Sequence, residues 1–212
     1  MADASLPIAV TRLPSFAPGM RIGLFGGSFD PPHAGHLMVS LVARRALRLD
    51  QVWWLVSPQN PLKKNAPSED LVRRVEAARA FITCPFVKVT GIEAALGTTY
   101  TADTLSRLLP MLTGIRPVWM MGADSLASFH RWGRWESIAA TLPIAVFNRP
   151  GATLAALASP AARALSAFRI PEWQAPSLPA LDAPAWVFLS KPHIPLSSTA
   201  LRGLRAKSPK PS

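Results

Sequence analysis

The chain has 212 residues, 49% of them hydrophobic, with 23 Lys and Arg against 12 Asp and Glu, a formal net charge of +11. One sizeable core can be built, while no uninterrupted apolar run reaches the ~18 residues of a membrane span and the N-terminus lacks the basic-then-apolar pattern of a secretory signal. The single cysteine, Cys84, excludes an intrachain disulfide and a cysteine-built zinc site, which points to the cytoplasm, and the charge favours an anionic partner without deciding between nucleic acid, membrane and a phosphorylated small molecule.

In chain order, residues 1–20 carry Pro, Ser and Gly and predict a loose extension. Residues 21–25 (RIGLF), closed by Gly26 and Gly27, predict a buried strand, and residues 34–48 a mostly buried helix. Residues 51–57 (QVWWLVS) predict a second strand ended by the breakers of SPQNP. A charged amphipathic helix is expected over 68–83, opening on Ser-Glu-Asp, and a third strand over 86–89. Arg44, Arg45, Arg73, Arg74 and Arg79 lie on these helices, where scattered arginine is expected to form a solvated face.

A helix is expected over 101–112 and a fourth strand over 116–121 (RPVWMM), ending at Gly122. A short helix over 132–140 leads to a fifth strand, 142–147, and the Ala- and Pro-rich stretch 151–183 reads as a helix plus an irregular loop. A sixth strand over 185–189 and a last helix over 197–207 complete the pattern. Trp53, Trp54, Trp119 and Trp186 fall inside strands and are expected in the core.

Strands alternating with helices imply a Rossmann-like α/β fold, a doubly wound, mainly parallel sheet with helices on both faces. A single domain is expected over 21–204, followed by a basic tail, 205–212. Ligands of such sheets bind outside the carboxyl ends of the strands, so the residues after strands one, two, four and six matter most.

After strand one comes Gly26-Gly27-Ser28-Phe29-Asp30-Pro31-Pro32-His33-Ala34-Gly35-His36. Glycines here let backbone N–H groups approach a phosphate, and the start of a helix adds a favourable dipole. Two histidines three apart share a helix face and can point at one anion, with Gly35 leaving room. Neither a Walker A loop nor GxGxxG is present. Near the C-terminus, Ser197 and Ser198 start a helix with Arg202 on the same face, the makings of a second phosphate clamp or of an ordinary serine cap.

The segment GGSFDPPHAGHL resembles the signature of bacterial nicotinate-nucleotide adenylyltransferases, within the nucleotidyltransferases that carry an HxGH or TxGH loop. Further segments resemble that family in order: TYTADTL at 99–105, MGADSL at 121–126, Arg149-Pro150-Gly151, and LSSTALR at 196–202. Together they span about residues 21–204.

The resemblance implies that His33 and His36 are catalytic, with His36 on the α-phosphate of ATP. It implies an ATP site of Gly26, Gly27, Ser28, Phe29, Gly122, Asp124, Ser197, Ser198, Thr199 and Arg202, Asp124 meeting the ribose and the serine–arginine clamp the β- and γ-phosphates. It implies that Trp132 stacks on the nicotinate ring, with Tyr100 and Thr101 contacting that ring largely by main chain. Asn60, Lys63 and Lys64 suit the mononucleotide phosphate, although the family more often shows P-P-H-[KR] in a longer loop.

The implied reaction joins ATP to nicotinate mononucleotide, giving deamido-NAD and pyrophosphate. A phosphate nucleophile, mostly dianionic at neutral pH, needs no general base. No acidic cluster offers a metal cage, so Mg²⁺ is expected to ride on the ATP phosphates. Other acceptors of the superfamily are less consistent with His33, where phosphopantetheine adenylyltransferases and cytidylyltransferases typically carry Thr. Nicotinamide mononucleotide differs from the acid only in the charge of its ring substituent and stays open, as does the choice between monomer and homo-oligomer. A basic nucleic-acid-binding protein would interleave aromatic and basic residues on an exposed surface, a pattern not visible here, so neither nucleic acid nor membrane is expected as partner.

Overall fold

The computed structural model describes residues 6–58, 68–149 and 151–190. Its first half runs α1 (Ile8–Thr11), β1 (Arg21–Gly27), α2 (Ala34–Ala46), β2 (Gln51–Val56), α3 (Ser68–Phe81), β3 (Val87–Thr90), α4 (Ile92–Ala95) and α5 (Thr101–Leu108). The second half runs β4 (Arg116–Gly122), α6 (Ala123–Ser128), α7 (Trp135–Thr141), β5 (Ile144–Phe147), α8 (Thr153–Leu157), α9 (Pro160–Ala164), β6 (Arg169–Ile170) and β7 (Trp186–Leu189).

All seven strands are parallel, in the order β3-β2-β1-β4-β5-β7-β6. Both faces are covered, which is why the strands read as continuous apolar runs and not as alternating ones. On β2 the side chains divide by period two: Val52, Trp54 and Val56 enter one core, Trp53 and Leu55 the other. Trp53, Trp54, Trp119 and Trp186 are each at most 3% exposed, as the sequence predicts.

The differences from the sequence pattern have local causes. Residues 6–20 are docked, not loose. Val10 is buried, Gly91 N–H donates to the Val10 carbonyl at 2.8 Å, and Thr90 Oγ1 donates to the Arg12 carbonyl at 2.9 Å. Phe16 packs against Trp53 with ring centroids 5.8 Å apart. This segment lies beside the end of the edge strand β3, where exposed backbone groups would otherwise be left open. Helix α5 gives way to a tighter 3₁₀ turn at Leu109–Met111, since Pro110 has no N–H for an α-helical bond. Helix α7 starts at Trp135, three residues later than the pattern suggests, after Gly133 and a left-handed Arg134 (φ 56°). Between α9 and β7, the two-residue strand β6 is too short to show a period, and Pro176 and Pro179 fall in a 3₁₀ helix over Glu172–Ala180.

Glu93, in the single turn of α4, is a buried carboxyl, and burial raises its pKa to about 7. As pH climbs from about 4.5 to about 7 the unfolded chain releases a proton that the folded chain keeps, so stability falls with rising pH across that window. Glu93→Gln removes this penalty. The variant's stability relative to the parent should therefore be greater at pH 8 than at pH 4.5 by up to ~3 kcal/mol, measured by urea unfolding. A relative stability that is flat with pH would contradict the buried-acid assignment.

Candidate active site

The strand order reverses between β1 and β4, and the sheet parts there. The last β1–β4 pair is Phe25 with Met120, yet both strands continue, β1 beside β2 as far as Gly27 and β4 beside β5 as far as Gly122. A crevice therefore opens at the carboxyl ends, between Gly26-Gly27 and Met121-Gly122, at the switch point where this architecture binds ligands. At Gly26 a Cβ would lie 2.9 Å from the ring of Trp119, which is 2% exposed and has no room to retreat.

His33 is the N-cap of α2 and His36 its third residue. The two close a reciprocal box: Gly35 N–H donates to His33 Nδ1 at 3.1 Å, and His33 N–H donates to His36 Nδ1 at 3.2 Å. The rings stack with centroids 3.7 Å apart. With both Nδ1 atoms accepting, each neutral imidazole carries its proton on Nε2. His33 Nε2 is buried and has no hydrogen-bond partner among the described residues.

Below the pair lies an aromatic nest. Phe29 contacts His36 at 4.8 Å and stacks on Trp54 at 4.6 Å, and Phe25 and Trp54 meet His36 edge-on. Trp54 Nε1 donates to Ser40 Oγ, which donates to the His36 carbonyl, so the first turn of α2 is tied to β2. Burial, and then the nearby Arg149, lower the pKa of His33 to about 4. Burial, then His33 and then Arg149 lower that of His36 to about 2. Both histidines are therefore uncharged at neutral pH.

Arg74 of α3 holds the floor of the site together. The expectation of a solvated arginine fails here: Arg74 is 4% exposed. Its Nη1 donates to the carbonyls of Ser28 (3.0 Å) and Ser57 (2.8 Å), its Nη2 to that of Pro58 (3.0 Å), and its Nε to Asp70 Oδ2 at 2.7 Å. One guanidinium thus joins the loops that follow β1 and β2. Ser57 N–H adds a bond to the Gly27 carbonyl at 3.0 Å.

Across the crevice Gly122 caps α6 and Asp124 stands in its first turn without capping it. Its Oδ1 lies 3.3 Å from Arg149 Nε, two residues beyond the end of β5. A Cβ on Gly122 would be 2.3 Å from Asp124 Oδ1 and 2.9 Å from Arg149 Nε, so only glycine leaves this pair its place.

Tyr100 is exposed at the N-cap of α5, and Thr101 is that helix's first residue. A Cβ on Gly133 would be 3.8 Å from Tyr100 Cδ1, and Arg134 is ion-paired with Asp103. The segment bearing Trp132 therefore lies against the start of α5. Trp132 is half-buried, edge-on to Phe129 at 5.4 Å. Asn60, Lys63, Lys64, Ser197, Ser198, Thr199 and Arg202 lie outside the described residues.

Sequence reasoning missed the parts played by Arg149 and Arg74. Arg149 follows a buried strand at its carboxyl end, a placement that could have flagged it. The pairing of Arg74 with Asp70 four residues back is ordinary on a helix, and the three carbonyls that set Arg74 apart lie 16, 17 and 46 residues away. Among the described residues no group of three or more His, Cys, Asp or Glu is arranged to hold a metal ion, and no helix is long and apolar enough to cross a membrane.

Residues 24–204 match the cytidylyltransferase-like family. The chain is 54% identical over 183 residues to a protein of Methylorubrum extorquens named "Probable nicotinate-nucleotide adenylyltransferase", covering 86% of this chain and 99% of that one. A protein of the same name from Agrobacterium fabrum is 51% identical, with 86% and 98% covered. Among solved structures, Plasmodium falciparum nicotinic acid mononucleotide adenylyltransferase complexed with APC superposes with a TM-score of 0.58 at 16% identity, over 87% of this chain and 83% of that one, a likeness of fold. With the HxGH loop at the switch point of the sheet and relatives at this identity over almost their whole length, the chain belongs to the nicotinate-nucleotide adenylyltransferases of the cytidylyltransferase-like family.

Proposed function

We propose that the enzyme transfers AMP from ATP to nicotinate mononucleotide, giving nicotinate adenine dinucleotide and pyrophosphate, as a cytoplasmic step of NAD biosynthesis. One observation carries this reading: a stacked pair of neutral histidines beside the crevice, with the buried Nε2 of His33 unpartnered among the described residues. Such donors suit an anion delivered by substrate. The names of the relatives supply the acceptor.

An oxygen of the acceptor phosphate attacks the α-phosphorus of ATP, the bond from that phosphorus to the bridging oxygen breaks, and its electron pair leaves on pyrophosphate. The attacking phosphate has a second pKa of about 6, so no side chain need take a proton. What the chain supplies is alignment and charge stabilisation. His36 and His33 donate to the α-phosphate from Nε2, and the main chain of Gly26, Gly27, Ser28 and Phe29 lines the same loop. The ring of Phe29 is committed to the core beneath His36.

Asp124 at Gly122 suits the ribose, and Ser197, Ser198, Thr199 and Arg202 the departing pyrophosphate. Tyr100, Thr101 and Trp132 suit the nicotinate ring, and Asn60, Lys63 and Lys64 its phosphate. Mg²⁺ carried on the ATP phosphates would supply charge neutralisation along the triphosphate. Asp124, in the first turn after Gly122, is already paired with Arg149.

Isotope placement tests the chemistry. ATP labelled at the α-phosphorus should put all its label into the dinucleotide, and ATP labelled at the γ-phosphorus should put all of it into pyrophosphate. Label from the γ-position in orthophosphate or in the acceptor would overturn attack at the α-phosphorus.

A further inference from the structure

The two histidines are uncharged donors, and the loop that carries them holds no cation. The reaction nevertheless needs positive charge where electrons accumulate, at the oxygen bridging the α- and β-phosphorus atoms. The described residues offer a source. Arg149 emerges two residues after β5, its side chain 24% exposed, with Nε 3.3 Å from Asp124 Oδ1 over the bare Gly122. It is also near enough to both His33 and His36 for its charge to oppose their protonation.

We infer that Arg149 is a catalytic residue of the proposed adenylyl transfer, its guanidinium meeting the α,β-bridge of ATP beside the histidine pair. Arg149 rests on Asp124, which is 55% exposed and holds it at 3.3 Å, a loose pairing for a guanidinium and a carboxylate. A triphosphate entering the crevice offers a stronger partner, and a fork of donors suits two phosphate oxygens better than a point charge does. His33 Nε2, buried and without a hydrogen-bond partner among the described residues, is a further donor open to an anion, on a histidine that feels the charge of Arg149. Arg149 forms no bond and moves no proton: the electron pair released at phosphorus goes to pyrophosphate, and the guanidinium stabilises it there.

The alternative is that Arg149 serves only to hold Asp124, and a double-mutant cycle separates the two. The inference rests on the proposed reaction, but binding of α,β-methylene ATP, which is not cleaved at that bridge, tests it without turnover. The dissociation constant, followed by tryptophan fluorescence, should rise at least ~10-fold on Arg149→Gln in the parent, and again at least ~10-fold when Arg149→Gln is added to Asp124→Asn. In turnover, kcat should fall ~10²-fold in both backgrounds, with Arg149→Lys recovering part of the loss.

If Asp124→Asn and the double variant bind the analogue equally well and turn over at the same rate, Arg149 acts only through Asp124 and the inference is overturned. Unchanged kcat with weakened binding would make Arg149 a binding residue and overturn its catalytic part. If the parent transfers no AMP to nicotinate mononucleotide, the proposed reaction fails on its own, and the binding cycle still reads Arg149. Melting temperatures of all variants within a few degrees of the parent establish that each is folded, and Arg149→Lys, which keeps charge and stem, carries the comparison if Arg149→Gln does not fold.

Discussion

Replacing His36 by alanine should lower kcat at least ~10²-fold while the protein stays folded. The size follows from what His36 is. Its Nδ1 is occupied by the His33 N–H at 3.2 Å, so its one remaining polar atom is the Nε2–H. The ring is held by Phe25, Phe29 and Trp54, and through Ser40 its main chain is fastened to Trp54, so the donor needs little reorganisation as charge builds on the phosphate. His36→Asn separates capping from catalysis. An asparagine oxygen can accept from the His33 N–H much as Nδ1 does, but nothing on it reaches as far as Nε2. It should recover thermal stability lost in the alanine variant without recovering rate. Near-normal turnover in either variant would remove His36 from the mechanism.

The histidines also fix the form of the pH profile. With pKa values pushed down to about 4 and about 2, neither histidine changes charge to a large extent above pH 5. An acid limb in kcat/KM near pH 6 should therefore belong to the phosphate of the acceptor. It should persist in His36→Asn.

Arg74 carries the second large effect. Arg74→Met leaves Asp70 paired with Arg73 alone and the carbonyls of Ser28, Ser57 and Pro58 without the guanidinium donors. Each hydrogen bond from a charged donor contributes about 1.5–3 kcal/mol, and three part-buried carbonyls lose theirs. A loss of this size should appear as a clear drop in the urea midpoint. Arg74→Lys is the more informative change. It keeps the charge but cannot fork between two loops, so the fold should survive while the loops after β1 and β2 lose their common register. Since the second of these leads to Asn60, Lys63 and Lys64, the KM for the acceptor should rise about ten-fold, with a smaller change in the KM for ATP. Equal effects on both substrates would make Arg74 a scaffold residue with no special bearing on the acceptor loop.

Much of this was legible in the sequence because it is local. The apolar runs of β1, β2, β4 and β5 are long enough to show buried strands, and a glycine pair followed by HAGH places the histidines at a helix start whatever surrounds it. Reading the loop as a candidate phosphate site needed no tertiary information. What escaped was tertiary. Arg74 looks on its helix like any other charged residue, and only the approach of two loops from far along the chain buries it. The pairing of Arg149 with Asp124 depends on β4 and β5 lying side by side, which no local pattern encodes. The docking of residues 6–20 depends on an edge of the sheet that had to be built first, and a chain rich in Pro and Gly gives no hint of it. The start of α7 was displaced by Arg134, a non-glycine residue with positive φ, which propensity reasoning does not anticipate.

The central claim is that the crevice joins AMP to a nicotinate-bearing mononucleotide. It is met most directly by offering the parent enzyme ATP and Mg²⁺ with nicotinate mononucleotide or nicotinamide mononucleotide in parallel, and following pyrophosphate release. The account predicts fast release with the acid and release at least ~10-fold slower with the amide, since one lost charge in a polar contact is worth about a factor of ten or more. Equal rates would contradict the acceptor assignment and the role of the Tyr100–Trp132 wall. No release with either substrate from folded protein would contradict the function itself.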